Sequence, residues 1–178
     1  EKTWGPDYVR FGLGLSSDFT SQSSFFNLAA SYRKTWINSL GASWRSMVQF
    51  GFNNLIFSEF YQPLNAEGDY FVAPNISFAS RPVYLYQGRN NVASYTLSSA
   101  QVGLATGVNI KSYGEFRVGL VGGTMKPELE TGAVYLAPDN SRIAQGGINA
   151  ALLLDRLDSV HFPRSGWRFG ANVLSSTT

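Results

Sequence analysis

The chain has no cysteine and one histidine, His161, among its 178 residues. Disulfide frameworks, thiolate metal sites and cysteine nucleophiles are thereby excluded, and a histidine-based metal centre or a Ser-His-Asp triad lacks its usual material. Charge is scarce as well. Asp, Glu, Lys and Arg make up 15% of the residues, against about a quarter in an ordinary soluble domain. The 14 basic and 12 acidic side chains leave a net charge of +2, too balanced for a nucleic-acid footprint, and no basic cluster stands out. A long hydrophobic run is missing too. The longest uncharged stretch, Asn90 to Ile110, carries Asn, Ser, Thr and Gln throughout, so no segment reads as a transmembrane helix. No signal peptide opens the chain, and residues 1–7 read as the tail of a preceding periplasmic segment.

Aromatics and glycine are abundant instead: 15% and 18 residues, with a mean hydropathy of −0.09. Low charge with many aromatics suits a chain whose outside is apolar and whose inside is polar.

The periodicity is two almost everywhere, which is the signature of strands. Val9, Phe11, Leu13 and Leu15 share one face of residues 8–17, and Arg10, Gly12, Gly14 and Ser16 the other. Residues 25–35 repeat the pattern, as do 40–52. Residues 55–62 read as a shorter, less regular strand. Residues 70–86 are extended, with Pro74 suggesting an irregular strand or a bulge. Strands are expected again over 92–110, 116–120, 143–155 and 167–174. Met125 to Arg142 reads as a longer loop, with a short strand conceivable at 133–136. The total is about nine antiparallel strands and no helix. Short turns alternating with longer polar loops fit an outer-membrane β-barrel, with the short turns at one rim.

The polar face decides between a barrel and a soluble β-sandwich. A sandwich turns its polar face to water and fills it with Lys and Glu. Here that face carries Gly, Ser, Asn and Gln with scattered arginines, Arg10, Arg33, Arg45 and Arg117. These four are expected to face a water-filled lumen. Aromatics near strand ends, among them Trp4, Tyr8, Trp36, Trp44, Phe52, Tyr70 and Trp167, suit an interfacial girdle. Only a closed sheet satisfies strand backbone groups in lipid.

One stretch is more specific. Leu152-Leu153-Leu154-Asp155-Arg156-Leu157-Asp158 ends an apolar run in two aspartates, and Phe162-Pro163-Arg164-Ser165-Gly166 follows before the last strand. It resembles the Asp-x-x-Asp…Pro-x-x-Gly strand-turn-strand signature of the Omp85 superfamily. Trp4 to Leu13 resembles the entry into the barrel of patatin-like outer-membrane proteins, the branch in which a secreted lipid esterase is fused to its own barrel. Residues 57–64 and 70–74 fit as well. The resemblance implies a 16-stranded barrel of which residues 8–178 are the N-terminal part, preceded by periplasmic repeats and a passenger. It also implies an Arg-Gly-Tyr-type loop in later strands, which this chain does not contain.

Catalytic chemistry is not expected here. A patatin-type Ser-Asp dyad needs a Gly-x-Ser-x-Gly elbow, and none is present. Ser165 with His161 has no positioned third group or oxyanion hole. Asp155 and Asp158 alone make a weak cation site. They read as structural: Asp155 toward the lumen, paired with Arg45 or Arg117, and Asp158 capping the turn. Gly12-x-Gly14 is not a nucleotide loop, because no helix follows. Gly122-Gly123 reads as a strand bend.

The expected role is to anchor an attached patatin-like esterase, with its translocation as an accompanying expectation, and with no cofactor. The expected partners are the bilayer and the fused N-terminal domains, with homodimerisation open and nucleic acid excluded. The rival readings are an Omp85-type assembly or secretion pore without an enzyme, a small self-contained barrel enzyme, and a soluble sandwich binding module.

Overall fold

A computed structural model describes residues 7–18, 23–88, 90–111, 113–132, 142–157 and 164–177. Among them lie nine strands and no helix: β1 Tyr8–Asp18, β2 Ser23–Lys34, β3 Ser43–Gly51, β4 Asn54–Pro63, β5 Tyr70–Gln87, β6 Asn90–Ile110, β7 Gly114–Gly132, β8 Ile143–Asp155 and β9 Arg168–Thr177. They form one antiparallel sheet in strict sequence order, with β1 and β9 at its two edges.

Register follows the alternation of small polar and large apolar residues. Leu120 lies opposite Leu104 on one side and Ile148 on the other. All three are more than half exposed. The same face carries Phe11, Leu28, Phe50, Phe78 and Val173, equally exposed. The other face carries the arginines and most of the small polar residues. A one-residue slip would exchange the two sets, so the pattern excludes any odd shift of the pairing.

The sheet is sheared and curved. The row of pairs that starts at Arg10, near the start of β1, runs through Ser31, Met47, Phe57, Ser77, Gln101 and Gly123 to Gln145, near the start of β8. Antiparallel neighbours begin at opposite rims, so the row climbs from one rim to the other as it crosses the sheet. That stagger is what tilted barrel strands require. An ion pair between Arg117 on β7 and Glu59 on β4 crosses two intervening strands. A flat sheet would hold those two strands about 14 Å apart. The arginine face is therefore the concave one.

Beneath that ion pair is the only cluster of buried apolar side chains among the described residues: Phe71, Ala73 and Ala105, with Tyr61 packed against it. The Tyr61 and Phe71 rings stack at 4.7 Å. Glycine makes room here, since a Cβ at Gly107 would sit 2.7 Å from the Phe71 ring.

Four expectations need correction. Residues 125–132 are strand, not loop: β7 continues to Gly132, pairing Met125 with Ser99 and Pro127 with Leu97. Residues 133–136 lie outside the described residues. Of the two readings of Pro74, the irregular strand holds and the bulge does not. The β4–β5 ladder keeps its register from Glu59↔Asn75 to Gln62↔Val72 and only omits the two pairs opposite Ala73 and Pro74. Proline has no N–H to give, so the ladder breaks without shifting. The β5 irregularity falls instead between Leu85 and Tyr86.

Connection length does not separate the two rims. The rim at the start of β1 carries connections 35–42, 64–69, 111–113 and 156–167, and the far rim 19–22, 52–53, 88–89 and 133–142. What distinguishes the far rim is strand length, because β5, β6 and β7 run well past their neighbours there. Asp155, finally, lies opposite Arg168 rather than beside Arg45 or Arg117.

Candidate functional site

The concave wall near the start of β1 gathers the charged side chains. Glu59 is the hub, with its side chain 9% exposed. β4 places it on the concave face directly opposite Arg45 of β3. Arg45 Nη2 donates to Glu59 Oε1 at 3.2 Å, and Arg117 Nη1 donates to Oε2 at 2.8 Å. Arg117 Nε donates to Glu115 Oε1 at 2.8 Å. Both arginines also sit over aromatic rings, Arg117 at 5.1 Å from Phe71 and Arg45 at 5.2 Å from Phe57. The carboxylate has both oxygens occupied and each guanidinium has an aromatic face, which is how a low-dielectric wall holds charge.

A hydrogen-bonded pair continues the cluster. Asn109 Nδ2 donates to the Tyr61 hydroxyl and to the Gly68 carbonyl, each at 2.7 Å. The 64–69 connection is thereby tied to the wall. On the other side the 35–42 connection folds over the cleft. Asn38 Oδ1 accepts from the Leu40 and Ala42 amides, each at 3.1 Å, and Asn38 Nδ2 donates to Gln62 Oε1 at 2.7 Å. The cleft between them has a volume of about 540 Å³ and is lined by Arg33, Arg45, Glu59, Tyr61, Glu115 and Arg117 among others.

The four arginines expected on the polar face all lie there. Arg33 faces Arg45 across β2 and β3, and Arg10 pairs in register with Ser31. Glu59 was not anticipated. It lies in the segment read as irregular, and its alternation with Phe57 and Tyr61 hides it within an apolar face. Its signal in the sequence is that it is the only acidic residue between Asp18 and Glu67.

The strand-turn-strand signature forms a second feature. Asp155 does not reach Arg45 or Arg117, which Glu59 holds. Its Oδ2 lies 3.7 Å from Arg168 Nε on the paired strand, and its Oδ1 accepts from the Leu157 amide at 3.0 Å. Asp155 and Arg168 are register partners, so a cross-strand contact one row long wins over a partner across the sheet. The Arg156 amide donates to the Trp167 carbonyl at 2.9 Å. Gly166 has φ +105, and any Cβ there would strike the Arg156 carbonyl oxygen. Only glycine fits, which explains the end of the signature. Asp158, Phe162 and Pro163, with His161, lie outside the described residues.

Aromatics collect at the same rim. Tyr8, Trp36, Trp44, Tyr70, Tyr113 and Trp167 are each 42–59% exposed. Trp4 lies outside the described residues, and Phe52 sits at the far rim, 4.1 Å from the Phe25 ring. Among the described residues no group of three His, Cys, Asp or Glu side chains is placed to hold a metal ion, and no helix is long and apolar enough to cross a membrane.

Compared with known proteins, the chain matches no described protein family, no curated protein and no solved structure.

Proposed function

We propose that residues 8–178 are the N-terminal part of an outer-membrane β-barrel of the Omp85 type, similar to the barrels of patatin-like proteins. Its role is to anchor, and assist the passage of, an esterase passenger attached ahead of residue 1. The chain contributes wall rather than catalysis, and the remaining strands would close the sheet between β9 and β1.

One observation carries this reading: an unbroken sheet whose convex face is apolar from strand to strand. On β7 the convex positions are Phe116, Val118, Leu120, Gly122 and Thr124, and the first charge is Lys126. A tilted strand crosses a bilayer core in about 9–11 residues, which is the length of that uncharged stretch. At one end of the band the convex face carries Trp44 and Tyr70, in agreement with an interfacial girdle, whereas Tyr8 faces the concave side. The passenger rests on the resemblance of residues 4–13 and 155–166 alone.

Cysteine scanning of the full-length polypeptide in isolated outer membranes tests the assignment. Cysteines at Leu104 and Val118 are expected to react with lipid-phase probes, and a cysteine at Gln101 with aqueous ones. The reverse labelling, or recovery of the protein in the aqueous fraction without detergent, overturns it. The intact mass of the native polypeptide tests the passenger separately: a value near 19.5 kDa removes it.

A further inference from the structure

The arginines of β1–β3 exceed what the Glu59 cluster can neutralise. On the concave wall Arg10, Arg33, Arg45 and Arg117 have Glu59 and Glu115 as carboxylates, since Asp155, on the same face, is taken by Arg168. Arg117 engages both, and Arg45 takes the other oxygen of Glu59. Arg10 and Arg33 form no ion pair with any described carboxylate. Asp7 falls on the other face of the sheet, where its Oδ2 accepts from the Tyr32 hydroxyl at 3.0 Å.

Placement makes this costly. Arg33 lies directly opposite Arg45, and like charges facing each other across a ladder destabilise it. Arg33 is also opposite Tyr8, while Arg10 is opposite Ser31, so Arg10 and Arg33 are diagonal neighbours on one face. Arg10, Arg33 and Arg45 thus all line one cleft of about 500 Å³, lined also by Tyr8, Ser31, Tyr32 and Thr35, with no carboxylate among the lining residues.

We propose that this cleft is an oxyanion site for a phosphate group, held by Arg10, Arg33 and Arg45 with the Tyr8 and Ser31 hydroxyls in support. A guanidinium presents paired N–H donors that match phosphate oxygens bidentately. A phosphate has enough oxygens to serve three such forks, and its charge relieves the Arg33–Arg45 repulsion. The site sits at the rim that carries the exposed aromatics and beside the unpaired edge of β1. A free phosphate and a phospholipid headgroup both carry the required chemistry. The inference depends on β1–β3 alone and goes beyond anchoring. It stands or falls independently of the membrane assignment.

The test uses the full-length polypeptide in a phosphate-free maltoside detergent, titrated with inorganic phosphate and followed by calorimetry. Wild type is expected to bind saturably. Arg33→Gln should weaken binding about tenfold, as loss of one charge-assisted bidentate contact does. The double variant R10Q/R33Q should abolish it, and Arg33→Lys should retain part. Urea unfolding, followed by tryptophan fluorescence, guards against misfolding. Without phosphate, R33Q should unfold at higher urea than wild type, because the like-charge pair is gone. Added phosphate should raise the wild-type midpoint and leave the double variant unmoved. Stronger competition by a short-chain phosphatidic acid than by inorganic phosphate identifies a lipid headgroup as the source, and equal competition identifies the free ion. Absence of saturable binding to wild type, or equal binding by R10Q/R33Q, overturns the proposal.

Discussion

Glu59 illustrates how a single residue organises a wall. It is one of two buried polar or charged residues among those described, the other being Ser43, and its two oxygens hold arginines from strands on either side of it in the sheet. Removing its charge leaves Arg45 without its carboxylate and Arg117 with Glu115 alone. Breaking a fully buried pair costs about 3–5 kcal/mol. Arg45 is half exposed and Arg117 one-fifth exposed, so solvent screens part of that loss and Glu59→Gln should cost about 2 kcal/mol. Arg117→Ala should cost more than Arg45→Ala, since Arg117 is the less exposed and also contacts Glu115 and the Phe71 ring. Urea midpoints of the three variants in one detergent would check the order, and an equal effect of R45A and R117A would refute it. Gly107 is as constrained as Glu59, for steric reasons. Gly107→Ala forces both the Phe116 carbonyl and the Phe71 ring to move, and overpacking of this kind costs about 1–3 kcal/mol.

At the scale of the strand, proline shows which hydrogen bonds matter. Pro82 pairs with Thr96 on β6, but β4 ends its ladder at Ser80, so its other side has no neighbour. Pro127 pairs with Leu97 on β6, and β8 ends its ladder at Met125. Both prolines therefore stand where β5 and β7 project beyond a neighbour, and a missing N–H there leaves no gap in a ladder. Pro127→Thr should change stability by no more than about 0.5 kcal/mol. Leu104→Pro, between β5 and β7 in the middle of the sheet, should cost about 3 kcal/mol or more. Heat-modifiable gel mobility separates the two, with the folded band kept in the first and lost in the second. The same projecting region reverses the polarity of the sheet. Lys126 and Glu128, which form an ion pair, point to the convex side, while Pro127 and Leu129 take the concave one. A charged convex face beyond Thr124 marks the end of the apolar band.

For the whole molecule, the chain does not bury itself as a soluble domain does. Its accessible surface is 12879 Å², whereas a soluble monomer of 19.5 kDa exposes about 8500 Å². Only five hydrophobic residues among those described are buried, so the stability of this sheet depends on what covers its convex face. Lipid is the cover that needs no second protein sheet. On that reading Leu104→Arg, at mid-height on the convex face, should cost about 2–4 kcal/mol in lipid vesicles. Gln101→Arg, on the concave face, should be close to neutral. Comparable losses at both positions would argue instead for a protein partner packed on each face. Among the described residues the two edges, β1 and β9, have no further neighbouring strand, and on the same reading added strands would cover their free backbone groups.

Alternation along the chain is enough to give most strands and their two faces. A period of two, with large apolar residues on one side and Gly, Ser, Asn and Arg on the other, excludes odd shifts of register and sets Arg10, Arg33, Arg45 and Arg117 on one face. It could not determine where strands end when charge and proline accompany them, as at 125–132, because the partner strand that makes such a segment extended lies some thirty residues away along the chain. Nor could it choose between acidic partners. Asp155 and Glu59 were equally available to the arginines in one dimension. Curvature brings β4 and β7 within side-chain reach of each other, while register gives Asp155 to Arg168. Alternation is a local property of the chain, and ion pairing across a curved sheet depends on distances that only the folded sheet sets.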